Sequence, residues 1–197
     1  SQTGWLEREL QSAAGDRRVR HVFVVMHHGP FATGPHGGNP GVRAAWAPLF
    51  AAYGVDTVFS GHDHLYERLE HEGVRYVVSG GGGGPLYPRQ EDPNWEDARA
   101  SVYTESVHHF VRVQVAGAGV DMAAVRADGS LIETVRWQVA ERRVRPRLLA
   151  SSTARSPGAA RRGTMWIALV SAAVCAGLAT LWIGLRRRAS LAGRKGS

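Results

Sequence analysis

The chain has 197 residues, a mean hydropathy of −0.21 and a formal net charge of +7, enough for one domain with a real core plus a tail. Residues 1–150 hold 16 arginines against 17 acidic residues, whereas residues 151–197 hold eight basic residues and no acidic one. The basicity therefore belongs to the tail, and with no aromatic-basic interleaving or nucleic-acid motif in the domain the sequence gives no reason to expect a nucleic-acid partner. The single cysteine, Cys175, excludes an intrachain disulfide.

Taken in order, Trp5 to Ser12 reads as a helix with apolar residues at 5, 6 and 10 on one face. Asp16-Arg17-Arg18 is a polar turn. His21 to Met26 is near-continuously apolar, as expected of a strand covered on both faces. His27 and His28 follow. Neighbouring side chains diverge on an extended segment, so only one of the two can face a given site. Phe31 to Gly41 is a loop rich in glycine and proline with His36 in its middle. Loops on a rigid scaffold often carry substrate contacts, although a solvated surface histidine is the plain alternative. Val42 to Tyr53 is a helix with Trp46, Leu49, Phe50 and Tyr53 at helical spacing, stopped by Gly54.

A second buried strand, Val55 to Phe59, leads into Gly61-His62-Asp63-His64-Leu65-Tyr66-Glu67-Arg68. Histidines at i and i+2 of an extended segment aim at one spot beyond the strand's carboxyl end, which is where open α/β sheets bind ligands. Imidazole suits zinc, iron and other borderline metals. For a bare His-x-His, a surface turn with two solvated rings is the plainer reading. Tyr66, Glu67 and Arg68 read as a structural clamp. Tyr76 to Ser79 is a strand, and Gly80–Gly84 after it matches no phosphate-loop pattern, so it reads as a tight turn. Residues 88–105 read as a polar surface loop. Phe110–Val115, Val120–Arg126 and Leu131–Trp137 are alternating strands joined by glycine turns, an antiparallel meander.

Three of these stretches together carry a resemblance. Val22-Phe23-Val24-Val25-Met26-His27-His28-Gly29-Pro30-Phe31, the His62 motif and Tyr76 to Tyr87 resemble, in order and spacing, signatures of the calcineurin-like metallophosphoesterases. Gly-His-Asp-His-Leu-Tyr-Glu-Arg resembles the purple acid phosphatase branch in particular. The similarity runs from about Trp5 to about Trp137. It implies an α/β fold, the four-layer α-β-β-α sandwich of that family, with residues 1–141 forming its C-terminal part. It also implies a phosphate ester substrate and two metal ions (iron, zinc or manganese) about 3.5–4 Å apart, which polarise the phosphoryl oxygen and generate a hydroxide that attacks phosphorus. Carried over residue by residue, His27 and His62 bind one ion and His64 the other, with His28 turned away. His36 stabilises the developing charge or protonates the leaving group. The family's Asp-x-His, Gly-Asp-x-x-Asp and Gly-Asn-His signatures do not occur in this sequence. They are expected in an N-terminal half beyond this chain, which does not begin with methionine. The chain alone is therefore expected to be inactive.

Residues 142–163 read as a basic linker and 164–185 as one continuous transmembrane helix, an uncharged apolar stretch that meets the roughly 20 residues a membrane span needs. A basic tail, 186–197, follows. The expectation is a single-pass membrane protein with the domain extracytoplasmic and the arginine-rich tail cytoplasmic, although five basic residues flank each end of the stretch and charge alone does not orient it. Two other readings stay open: a non-catalytic remnant of the same fold, and a membrane-tethered β-rich binding module.

Overall fold

Ser1 opens the chain by accepting the Gly4 N–H, which caps α1 (Gln2–Gly15). The computed structural model describes residues 1–139 and the backbone of 167–170. Leu6, Leu10 and Ala13 recur at helical spacing on α1 and are all buried. After β1 (Phe23–Met26), Asn39 caps α2 (Pro40–Ala52), whose first residue is a proline that lacks the N–H it would leave unbonded there. Next come β2 (Thr57–Ser60), β3 (Tyr66–His71), β4 (Val74–Ser79), α3 (Trp95–Ala100), β5 (Ser101–Glu105), β6 (His109–Ala116), β7 (Gly119–Arg126), β8 (Leu131–Gln138) and β9 (Ile167–Val170).

Six strands form one sheet in the order β5-β3-β4-β2-β1-β9, and β6-β7-β8 form a second, antiparallel sheet. β1, β2 and β4 run parallel, while β3 and β5 are antiparallel additions. On β4, Val74, Tyr76 and Val78 face the helices and join Leu6, Val24, Phe50, Val58, Leu65 and Leu69 in the main core. Val77, with Tyr66 of β3, faces the other way and packs on Met122 and Ala124 of β7. The described residues thus make three layers: helices, the large sheet, the small sheet. A fourth layer, expected from the resemblance, is not among them.

Two assignments from the sequence change. β3 was not anticipated; it pairs with β4 through a turn at Glu72 (φ 50°) and Gly73 (φ 78°), the left-handed pair that two-residue hairpins require. Residues 88–105 are not merely a surface loop, because they contain α3 and β5, with Asp97 fully buried. Their polarity hides the structure: α3 is anchored by a buried carboxylate rather than by an apolar stripe.

The expected continuous helix over 164–185 is corrected at the four positions described. Ile167–Val170 is a strand, in parallel register with β1 from Phe23↔Ile167 to Met26↔Val170. The free side of β1 carries backbone groups that need partners, and an apolar run supplies them by pairing. Among the described residues no helix is long and apolar enough to cross a membrane. The linker 142–163, the tail 186–197 and the rest of 164–185 lie outside the described residues.

Candidate metal centre

β1 and β2 are parallel neighbours in register, Met26 opposite Ser60, so their carboxyl ends open on the same edge. His27 and His28 leave the first and Gly61 to His64 the second, and the Gly61 N–H donates to the His27 carbonyl at 3.2 Å. The His62 backbone is left-handed, φ 70°, an unusual state for a side chain with a Cβ. The Asp63 N–H donates back to the Gly61 carbonyl at 3.0 Å and the Leu65 N–H to the Asp63 carbonyl at 2.9 Å. The segment is therefore two successive three-residue turns, centred on His62 and His64. Extended-chain alternation does not govern where these two rings go.

The turns separate the pair. The His62 ring lies 5.1 Å from that of His27, 4.2 Å from His28 and 4.2 Å from His36. His27, His28 and His62 each offer a ring nitrogen, all within 4.8 Å of one another. His64 stands outside this group: it stacks on Tyr87 at 4.3 Å with its Nδ1 2.7 Å from the Pro85 carbonyl. That contact makes Nδ1 the N–H donor and leaves Nε2 for another partner. His28 is not turned away, contrary to the strand-based expectation. β1 ends at Met26, so both histidines sit on a bend where successive side chains need not diverge.

His36 enters from the loop between β1 and α2, and this loop rests on three buried carboxylates, two from the His62 motif and one from α3. Asp63 accepts from the His36 Nδ1 at 2.8 Å and the His36 N–H at 3.2 Å. Glu67 accepts from the Thr33 N–H at 2.7 Å and hydroxyl at 2.6 Å, and also from Ser101 and Thr104. Asp97 accepts from the N–H groups of Ala32 and Gly38 and pairs with Arg43. Gly34 allows the closest approach: a Cβ there would lie 2.3 Å from the Asp63 Cγ. The glycine run after β4 closes the other flank, where a Cβ on Gly84 would meet the His64 ring at 2.8 Å. His28, His36, His62 and Asp63 line a cleft of about 190 Å³.

Desolvation and the neighbouring imidazoles His28 and His64 lower the pKa of His27. Desolvation, then His28, His36 and His27, does the same to His62. Both rings therefore hold their neutral form, the form that ligates metal, to lower pH than a free histidine. Clustered neutral imidazoles at strand ends are a donor set that fits a borderline transition metal.

Residues 2–66 match the calcineurin-like phosphoesterase family. The chain is 37% identical over 83 residues to rat tartrate-resistant acid phosphatase type 5, a match spanning 42% of this chain and 24% of that protein. It is 36% identical over 81 residues to the Fe(3+)-Zn(2+) purple acid phosphatase 12 of Arabidopsis thaliana, spanning 39% of this chain and 17% of that one. In fold it is similar to the purple acid phosphatase PPD1 from yellow lupin seeds, with a TM-score of 0.60 and 19% identity over 80% of this chain and 31% of the lupin chain. The likeness to metal-dependent phosphoesterases thus holds at family level, and the chain spans at most a quarter of the length of these two curated relatives.

Sequence reasoning singled out His27, His36, His62 and His64, but missed the carboxylates that seat the His36 loop. From the sequence Glu67 reads only as part of a structural clamp, without its partner Thr33. Asp97 lies in the stretch that reads as a surface loop. Neither has a sequence signature, since a buried acid is recognised only by donors that converge from distant segments.

Proposed function

We propose that residues 1–139 are the C-terminal part of a metallophosphoesterase domain, and that the protein containing them hydrolyses phosphoric esters with two metal ions. One observation carries most of this reading: His27 and His62 meet at the carboxyl ends of adjacent parallel strands, with the His36 ring 4.2 Å from that of His62. Bound there, the ions would supply Lewis-acid activation of the phosphoryl oxygen and a nucleophile at neutral pH. His27 and His62 would hold one ion and His64, through Nε2, the other. Iron, zinc and manganese are the candidates, and one relative carries iron and zinc in its name. Asp63 accepts the Nδ1–H of His36 and leaves Nε2 for the substrate; in the imidazolium form the Nε2–H would donate to a phosphoryl oxygen or pass its proton to the leaving group. Glu67 and Asp97 hold the loop that sets the height of His36 above the cleft.

The test is turnover of p-nitrophenyl phosphate with added zinc, manganese or iron. A longer protein that supplies Asp-x-His and Gly-Asn-His should turn over, and His62→Ala should abolish that activity. The 197-residue chain alone should not, since the Asp-x-His and Gly-Asn-His signatures do not occur in its sequence. Metal-dependent turnover by the chain alone, lost in His62→Ala, would overturn the requirement for the missing ligands. A second reading, a non-catalytic module of this fold, is favoured by one fact: the described nitrogen cluster is all imidazole, with no carboxylate in it. Absence of turnover by the longer protein would select that reading. Membrane attachment through 164–185 is supported by composition alone and opposed by the strand at Ile167–Val170. Recovery in the membrane pellet after alkaline washing would support it, and release into the wash would reject it.

A further inference from the structure

We propose that His28 is a metal ligand, and that His27, His28 and His62 form a three-imidazole pocket for one borderline divalent cation such as zinc or cobalt(II). The inference concerns the metal centre of the reading above and rests on it only for the expectation that metal binds at these strand ends. The resemblance to the metallophosphoesterases assigns His27 and His62 to one ion and His64 to the other, and gives His28 no part. The geometry favours a different third ring.

Each of the three rings neighbours both others, with centroid separations of 4.7 Å for His27–His28, 5.1 Å for His27–His62 and 4.2 Å for His28–His62. One nitrogen from each lies within 4.8 Å of the other two. Tetrahedral zinc with Zn–N bonds of about 2.0–2.1 Å places ligand nitrogens about 3.3 Å apart, so shifts on the order of 1 Å close the set. Those shifts meet little resistance: His27 and His28 are exposed side chains on a bend, and rotation about χ1 and χ2 displaces solvent rather than core. His64, by contrast, is stacked on Tyr87 and tied to the Pro85 carbonyl.

Donor chemistry points the same way. Three imidazoles suit zinc, cobalt, nickel or copper and not magnesium or calcium, which prefer oxygen. Three protein ligands also leave a tetrahedral ion one open position. His36, held at Nδ1 by Asp63, lines the same cleft as His28 and His62.

Cobalt(II) titration of the 197-residue chain, read by visible absorption and by calorimetry, tests the proposal without any turnover assay. The wild type should bind one cobalt ion with the intense visible bands of tetrahedral coordination. His28→Ala should weaken binding by at least about tenfold, as His27→Ala and His62→Ala should, while His64→Ala should change it less than about threefold. His28→Cys provides a gain of signal, since a thiolate bound to cobalt brings a strong near-ultraviolet charge-transfer band. If His28→Ala binds cobalt like the wild type, or if the cysteine variant binds without that band, the proposal is overturned. The phosphoesterase reading stands or falls separately, on turnover by the longer protein.

Discussion

The two faces of the six-stranded sheet are held by different forces. Toward the helices, the buried cluster runs from Leu6 and Leu10 through Val24, Trp46 and Phe50 to Leu69 and Tyr76. Toward the small sheet, the fully buried apolar contact is confined to Tyr66, Val77, Met122 and Ala124. Polar groups do much of the joining on that second face: Tyr66 and Arg68 donate to Glu133, Ser79 meets His109, and the Arg75 guanidinium lies 4.1 Å from the Trp137 ring centroid. Phe110 and Leu131, at 55% and 57% exposure, extend the small sheet into solvent. One face is a core and the other is a clasp. The histidine cluster sits at the carboxyl ends of β1 and β2, and the His36 loop is held by Asp63, Glu67 and Asp97 and by Gln90, whose N–H donates to the Thr33 carbonyl.

Phe50→Ala should produce the largest effect, because it opens a cavity in the closed face. About 3–5 kcal/mol of stability should be lost in urea denaturation of the chain. Val113→Ala on the half-open face should lose under about 1.5 kcal/mol, and equal losses would erase the distinction between the faces.

Glu67→Ala ranks next, at about 2–4 kcal/mol, because it strands the Thr33 N–H and several hydroxyls that point at one buried carboxylate. It should also loosen the His36 loop. Hydrogen exchange should quicken at Thr33 and its neighbours before it does in α1; uniform quickening would mean the residue supports the whole fold and not the loop.

For the clasp, Tyr66→Phe should cost about 1.5–3 kcal/mol, the worth of one hydrogen bond to a carboxylate acceptor. A double-mutant cycle with Glu133→Ala should show coupling, and strict additivity would remove Glu133 from the account.

The smallest effect is a pH dependence. His109 has its Nδ1 against the Val107 carbonyl, so Nδ1 carries the proton and Nε2 accepts from the Ser79 hydroxyl. Burial, the largest influence, lowers its pKa, and the folded state therefore binds this proton less readily than the unfolded chain. Its contribution is complete above the unfolded value of about 6.5 and is lost as the pH falls below it. His27 and His62 act in the same window and direction. His109→Gln should thus flatten, without abolishing, the loss of stability measured between neutral and mildly acidic pH, and an unchanged slope would sink the assignment.

Much of this was legible from residues. Period-two alternation located β6, β7 and β8, helical spacing located α1 and α2, and apolar runs located β1 and β2. The hairpin of β3 and β4 has its signal too, in Glu72-Gly73 between two strand-like runs, although Tyr66 to Arg68 read as a structural clamp rather than as a strand. α3 and β5 had almost none, since a short helix anchored by Asp97 carries no apolar stripe.

By itself the sequence determined β1, β2, β4 and the three strands of the small sheet, the two amphipathic helices and which histidines lie at strand ends, because periodicity and turn chemistry are local. Only the tertiary structure decided how those histidines are grouped. A left-handed residue at position 62 and a bend after Met26 draw His28 toward His62 and leave His64 on Tyr87, against the alternation an extended chain would impose. It also decided the seating of His36, because Asp63 and Glu67 of the His62 motif and Asp97 of α3 reach one loop from two separate stretches of the chain. Convergence of that kind is a property of packing, and no spacing along the chain encodes it.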